Sequence, residues 1–501
     1  LPDRAAPGNG NPWPAIQPGQ TVRQAKQGDG NVCAARAPER KYDVVAMKTD
    51  LVYDPVSGDH DPNGLIYALA SEVSDIKSGN KKPEPLTIRA NAGDCVRLKL
   101  TNRLPSDGVG PHDGDVPLPA DAAFPAGNRV SMHVAMADYD VTRGDGATVG
   151  YNFDQTVAPG GSITYQWQIP QISGATLNLV DFGDRRGHRH HGLFGALLVE
   201  PTGSTWTDPT SGKTVLNGTR ADIRWSDADG VAQAYREFAI FWQDGLNLRD
   251  PEGDPVPASG VPGDPYEGGQ RGVNYATNRF AARLATNPEP AYVLSSQHHG
   301  DPATPIMRAN VGDPVRVRLL QGADRGRAHT FLLAGHGWHY QRNDSKSTIR
   351  SAQGMVMPGR SFTFDLVGGA GGPRSQPGDY LYRDALIPNQ VDMGLWGFLR
   401  VEDAQQSGLK PLRKASEPKL ATEWETEEET EEDDDSPSRS KASKVTTSSQ
   451  GSTAVAAVTT TSTTMPATTT TNPPKAPGAQ SGGAKARTTT TTAANSARRG
   501  K

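Results

Sequence analysis

Eleven histidines and two cysteines are the residues of this 501-residue chain whose types suit metal or redox chemistry. Four of the histidines fall around one short stretch and its neighbour: His133 in Ser131-Met-His133-Val-Ala135, and His188, His190 and His191 in Arg186-Gly-His-Arg-His-His-Gly192. Imidazole nitrogen is a borderline donor that suits copper, zinc and iron, and four such rings at one strand junction are enough to hold one ion. Asp138, Asp181 and Asp184 stand nearby in the sequence as oxygen donors. On a regular strand His188 and His190 share a face and His191 points the other way. The alternative for these four residues is a hydrogen-bonded polar network with no metal. His329 and His336 form a second, sparser group, and an isolated histidine in a β-sandwich is more often a hydrogen-bonded residue than a ligand. His298 and His299 read as exposed, His339 as packing beside Trp338, and His60 and His112 as loop residues without partners.

The elements that position these residues announce themselves by repetition. Arg89-Ala-Asn-Ala-Gly-Asp-Cys-Val-Arg-Leu-Lys-Leu100, Pro159-Gly-Gly-Ser-Ile-Thr-Tyr-Gln-Trp167 and Gly192-Leu-Phe-Gly-Ala-Leu-Leu-Val-Glu200 recur in the same order. Their counterparts are Arg308-Ala-Asn-Val-Gly-Asp-Pro-Val-Arg-Val-Arg-Leu319, Pro358-Gly-Arg-Ser-Phe-Thr-Phe-Asp-Leu366 and Gly394-Leu-Trp-Gly-Phe-Leu-Arg-Val-Glu402. Three matched segments in one order mean two copies of one domain. Within each copy apolar and polar residues alternate, the signature of strands with one face on a core, and Gly-Asp and Pro-Gly turns precede them. The pattern predicts an all-β fold of two Greek-key β-sandwiches plus a disordered tail.

The expected divisions are an irregular leader over 1–40, a first domain over 41–202, a linker over 203–236, a second domain over 237–402 and a tail over 403–501. The tail changes composition abruptly, with the acidic run Glu423–Asp435 followed by Thr-rich tracts that bury too little apolar surface to order themselves. Thr- and Pro-rich tails are commonly glycosylated stalks, and Asn217-Gly-Thr and Asn343-Asp-Ser fit the N-glycan acceptor pattern. The net charge of -4 gives no reason to expect nucleic acid as a partner. No apolar run is long enough to span a bilayer. With only Cys33 and Cys95 present, one disulfide and an oxidising compartment are expected, so the chain reads as secreted, extracellular or cell-surface; two separate buried thiols are the alternative. The absence of an initiating Met and a leader reads as a processed form or a piece of a longer protein.

Longer stretches carry a resemblance. Gly58-Asp-His-Asp-Pro62, Pro83-Glu-Pro-Leu-Thr-Ile-Arg-Ala-Asn-Ala-Gly-Asp-Cys-Val96, Arg186 through Pro201, Phe241-Trp-Gln-Asp-Gly-Leu-Asn-Leu-Arg-Asp250 and Gly300-Asp-Pro-Ala-Thr-Pro-Ile306 resemble the cupredoxin domains of large bacterial multicopper oxidases, over Tyr42 to Glu402. The resemblance implies cupredoxin-like sandwiches, copper as cofactor, and copper-dependent oxidation coupled to reduction of O₂. It also implies a type 1 site of two His and one Cys, and a trinuclear cluster built from His-x-His pairs.

Against that pattern the motifs are degenerate. His329-Thr-Phe-Leu-Leu-Ala-Gly-His336 keeps the first and last histidines of a His-x-x-His-x-His-x-His strand, but the cluster positions read Leu332 and Ala334. The His-Cys-His position reads Arg383-Asp384-Ala385 in the second copy and Phe182-Gly183-Asp184 in the first, and a later copper His falls near Asn389 or Gln390. A type 1 site is therefore excluded on ligand chemistry. The expectation is the carboxyl-terminal part of a multicopper-oxidase-like protein, an enzyme only if a missing amino-terminal cupredoxin portion or another chain supplies ligands. His133, His188, His190 and His191, with His329 as a weaker candidate, would be its contribution to an inter-domain copper cluster. The competing reading is a non-catalytic cupredoxin pair serving as an interaction or structural module, with simple metal capture by the histidines as a third.

Overall fold

A computed structural model describes residues 26–106, 127–184, 187–257, 268–322, 328–404 and 407–412. Most of the expected leader, His112, and the acidic and Thr-rich tail lie outside the described residues.

The first repeat runs β1 (Glu39–Lys48), β2 (Leu51–Asp54), β3 (Asp59–Asp61), β4 (Leu65–Leu69), β5 (Leu86–Asn91), β6 (Cys95–Arg103), β7 (His133–Val134), β8 (Ser162–Gln168), β9 (Thr176–Val180) and β10 (Phe194–Glu200). The second runs β11 (Thr205–Thr207), β12 (Arg220–Ser226), β13 (Ala232–Leu246), β14 (Gln270–Val273), β15 (Ile306–Asn310), β16 (Val315–Gln321), β17 (His329–Leu333), β18 (Trp338–His339), β19 (Ile349–Arg350), β20 (Ala352–Val356), β21 (Ser361–Asp365), β22 (Gly378–Asp384) and β23 (Trp396–Glu402).

The sheets share a strand plan, four-stranded in the first sandwich and extended in the second. In the first repeat β4-β1-β6-β8 faces β5-β10-β9-β7; in the second β11-β12-β13-β16-β21 faces β15-β23-β22-β17-β20. β1 runs parallel to β6 as β13 does to β16, and β5 parallel to β10 as β15 does to β23. This is the all-β, two-sandwich cupredoxin-like architecture. Alternate residues such as Val44, Leu98, Trp167 and Leu197 fill the first core, and Ile240, Val317, Phe331 and Leu399 fill the second.

The repeated motifs have local causes. Gly93 and Gly312 adopt φ of 84° and 74°, and the aspartate after each accepts its turn's backbone amide: Asn91 N donates to Asp94 Oδ2 at 2.9 Å and Asn310 N to Asp313 Oδ2 at 2.8 Å. Gly192 and Gly394, at φ of 109° and 120°, sit where a Cβ would lie 2.8 Å from Leu65 O and 2.6 Å from Arg271 O. Only glycine fits both the dihedral and the space.

The segment 203–236, expected as a linker, carries β11, β12 and the start of β13, and completes the first sheet of the second sandwich. Trp206, Ala221, Ile223 and Tyr235 give it a small core of its own. Its polar composition hid the short alternation from Ala221 to Trp225. Cys33 and Cys95 are bonded, with a Cα separation of 5.6 Å, which fixes the irregular stretch before β1 to β6.

The outer face of β5-β10-β9 lies on the outer face of β13-β16-β21. Phe194, Ala196 and Leu198 pack with Ala239, Phe241 and Leu320, while Ser361 Oγ donates to Thr176 O at 2.6 Å. The two remaining outer faces differ. On the first sheet of the first sandwich Glu39, Lys41, Asp43, Arg97 and Lys99 are exposed, while Val45, Met47, Ile66 and Ala68 of the same face join the apolar cluster. On the second sheet of the second sandwich, Phe280 and Leu294 cover Ile306, Trp396 and Phe398, and Arg283 lies 5.1 Å above the Trp396 ring. Among the described residues no helix is long and apolar enough to cross a membrane.

Candidate functional site

The expected histidines are built into loops and strand ends, and four of them are held by an aspartate. His133, on the short edge strand β7, turns Nδ1 toward the Asp145 carbonyl at 2.8 Å and its carboxylate at 3.0 Å. The ring lies edge-on to Phe182 at 5.1 Å. His191 Nδ1 meets Asp61 Oδ2 at 2.7 Å, and both side chains are buried. Nδ1 faces only acceptors in each case, so it carries a hydrogen.

His188 differs. It is fully buried, with Nδ1 2.9 Å from Asp181 Oδ2 and Nε2 3.1 Å from Gly127 O. Two acceptors can be satisfied only if both nitrogens are protonated, so the ring is an imidazolium without a lone pair. Burial pulls its pKa down, but the hydrogen bond and charge of Asp181 outweigh this and raise it. The carboxylates expected as oxygen ligands are occupied too. Asp181 accepts from Ser131 N at 2.7 Å and Asp184 N at 2.8 Å; Asp184 accepts from Gly127 N at 2.7 Å and Gly187 N at 3.0 Å. Asp138 is exposed, its backbone paired with Gln168.

The strand-face argument for His188 and His190 does not apply, because residues 187–192 form turns and β10 begins at Phe194. Leu193 N donates back to His188 O at 2.9 Å, folding the three-histidine stretch on itself. His190 lies near enough to Asp244 of the second sandwich to interact with it electrostatically.

In the second sandwich His329 on β17 is buried between two carboxylates, with Nδ1 3.0 Å from Asp384 Oδ2 and Nε2 3.0 Å from Asp244 Oδ2. Burial opposes its charge, yet the two carboxylates push its pKa up to about 9. Asp384 stands at the position where the resemblance expects a thiolate. His336 uses Nδ1 as donor to Ala334 O at 2.9 Å and Nε2 as acceptor from Gly371 N at 3.1 Å; burial lowers its pKa. His298 is exposed and stacks on Tyr292 at 4.0 Å. His60, expected to lack a partner, pairs with Asp50 at 2.7 Å. Asn217 of the first glycan-like triplet is buried, donating to Glu72 at 2.8 Å and accepting from Thr87 N at 2.8 Å, so it is not available to modification as folded; Asn343 is exposed.

Among the described residues no three of His, Cys, Asp and Glu are gathered to hold a metal ion. The partners that decide this, Asp61, Asp145 and Asp244, were missed by sequence reasoning. Asp61 and Asp244 do lie inside stretches that carried the resemblance, but nothing in one sequence pairs them with a histidine.

No family model and no curated protein matches the chain. Among solved structures it is similar to a multicopper oxidase, at 18% identity and TM-score 0.45 over 75% of this chain and 94% of that one. It is also similar to a copper nitrite reductase from Nitrosomonas europaea, at 14% identity and TM-score 0.45 over 75% and 98%. A blue copper oxidase from the same organism follows at 15% identity and TM-score 0.42 over 73% and 86%. At such values the fold assignment rests on the strand order and register above, and any function rests on this chain's own residues.

Proposed function

We propose that this chain is a cupredoxin-type scaffold of the multicopper-oxidase kind, working outside the cytoplasm as a structural or binding module with no copper redox centre of its own. The observation that carries the reading is His329: both ring nitrogens face carboxylates, and the residue at the expected thiolate position is Asp384. A protonated imidazole has no lone pair to give a metal, and a type 1 centre needs a thiolate. The bond between Cys33 and Cys95 supports the same reading, since it leaves this chain no free thiol to act as thiolate ligand, and it supports an oxidising compartment. The test is copper loading of the full chain. The expected result is no intense band near ~600 nm, where copper–thiolate absorption falls, and no O₂ uptake with reducing substrates. A blue protein, or sustained O₂ consumption, overturns the proposal.

A second reading is favoured by one observation. His133 and His191 both use Nδ1 on an aspartate, the arrangement that orients metal-binding imidazoles and leaves Nε2 as donor. On that reading these two rings contribute to a copper cluster completed by an amino-terminal cupredoxin portion or another chain. Electron paramagnetic resonance separates the two. Nitrogen couplings from Cu(II) that disappear in the H133A/H191A double variant support the second reading; couplings absent from the wild type, or unchanged in the variant, remove it.

A further inference from the structure

The contact between the sandwiches contains a charge network that the function proposed above does not use. Arg89 on β5 and Glu200 at the end of β10 come from the first sandwich; Tyr235 and Glu237 on β13 and Arg318 on β16 come from the second, and all five are buried. We propose that Glu200 is a protonation switch that sets how firmly the two sandwiches hold each other, closed with its proton bound and loosened when the proton leaves.

The argument is a count of donors. Arg318 spans both carboxylates, donating from Nε to Glu237 Oε2 at 2.6 Å and from Nη2 to Glu200 Oε1 at 2.8 Å. Glu237 has a second guanidinium of its own, because Arg89 Nε donates to its Oε1 at 3.0 Å. Among the described residues Glu200 has no second guanidinium, and meets its share of Arg318, the Tyr235 hydroxyl and the neighbouring Glu237 carboxyl. The other charges facing it are committed elsewhere. Arg316 lies 3.9 Å over the Tyr235 ring and forms a two-pronged pair with Asp365 at 2.6 and 2.9 Å, and Arg342 leans on the same Asp365 at 3.5 Å.

Two carboxylates this close in a dry contact do not ionise equally, and the better-paired one keeps the charge. Burial and the neighbouring Glu237 therefore raise Glu200 to about 7 against the pull of Arg318, while Arg318 and Arg89 overcome burial to hold Glu237 down. A carboxyl group raised in the closed contact stabilises that contact fully below the ordinary carboxylate range and loses its contribution as pH climbs through about 7.

The experiment is hydrogen exchange on the full chain, wild type and E200Q, at about pH 6 and about pH 8.5, corrected for the intrinsic pH dependence of exchange. Relative to E200Q, wild-type peptides over β5, β10, β13 and β16 are expected to exchange on the order of tenfold faster at the higher pH, one proton's worth of linkage over the unit that ends at the midpoint near 7. E200Q keeps the hydrogen-bonding shape without the titration, so it is expected to lack this part of the difference and to keep only what His329 contributes. His329 titrates in both proteins, so it cancels in the comparison. Equal exchange at both pH values in the wild type, or the full difference persisting in E200Q, overturns the proposal. Infrared spectroscopy of the wild type gives an independent readout should the variant fold poorly. With ¹³C-labelled glutamate, a protonated carboxyl stretch is expected near pH 6 that is lost as pH rises through about 7. No such band at the lower pH also overturns the proposal.

Discussion

A histidine ring with carboxylates on both nitrogens is a fixed cation, and His329 is the clearest case in this chain. Its pKa in the folded protein is raised to about 9 by Asp244 and Asp384. A histidine raised on folding contributes stability that is complete below its unfolded value and is lost as pH climbs through the folded one. Urea denaturation is expected to show the protein weaker by about 3 kcal/mol at about pH 10 than at about pH 6, for this residue alone. His329→Gln should remove most of that pH dependence and, by leaving two buried carboxylates facing each other, cost about 3–5 kcal/mol at the lower pH. A wild-type stability curve flat across that range would refute the cation assignment. The histidines themselves could be read from the sequence, and so could the missing thiolate. Their pairing could not, because it depends on Asp61 for His191 and Asp244 for His329, partners brought close only by the folded chain.

At the scale of elements, the repeated Gly-Leu-x-Gly and Gly-Asp motifs were legible because glycine and aspartate meet backbone requirements that do not depend on distant residues. Gly394→Ala is expected to cost on the order of 3 kcal/mol, since the new Cβ meets Arg271 O and Thr277 Oγ1 and the dihedral is disallowed. Gly359→Ala, also at positive φ but with open space around it, should cost only about 1 kcal/mol. Thermal denaturation of the two variants checks the order; equal losses would mean that crowding is not the cause. The strands between 203 and 236 were not legible, because a five-residue alternation bounded by Gly, Ser and Thr looks like a loop. The stretch before β1 is held by the Cys33–Cys95 bond across 62 residues. Replacing both cysteines by serine should lower stability by about 2–4 kcal/mol in urea titration, and no loss would show that the bond constrains little.

For the whole molecule the decisive feature is the contact between the sandwiches, half apolar and half charged. Glu237→Gln leaves Arg89 and Arg318 short of a counter-charge in a buried setting, and is expected to destabilise the chain by about 3–5 kcal/mol. High salt should not relieve the loss, because buried pairs are poorly screened. Calorimetry at low and high ionic strength checks both statements, and a salt-sensitive loss would mean the network is open to solvent. The two-domain plan was legible from the repeat; the network was not, since Arg89, Glu200, Glu237 and Arg318 sit on four separate strands and read singly as ordinary surface charges.

The faces left over after this contact forms have a consequence for growth. Adding a third unit by the same broadside stacking would strip water from Glu39, Lys41, Asp43, Arg97 and Lys99 on one flank, a desolvation cost that the pairs of Glu39 with Lys41 and Arg97 offset only in part. On the opposite flank it would have to evict Phe280, Leu294 and Arg283 from their seat on Trp396. Broadside elongation is opposed on both flanks, which leaves the rims as the less costly approach for a further cupredoxin unit.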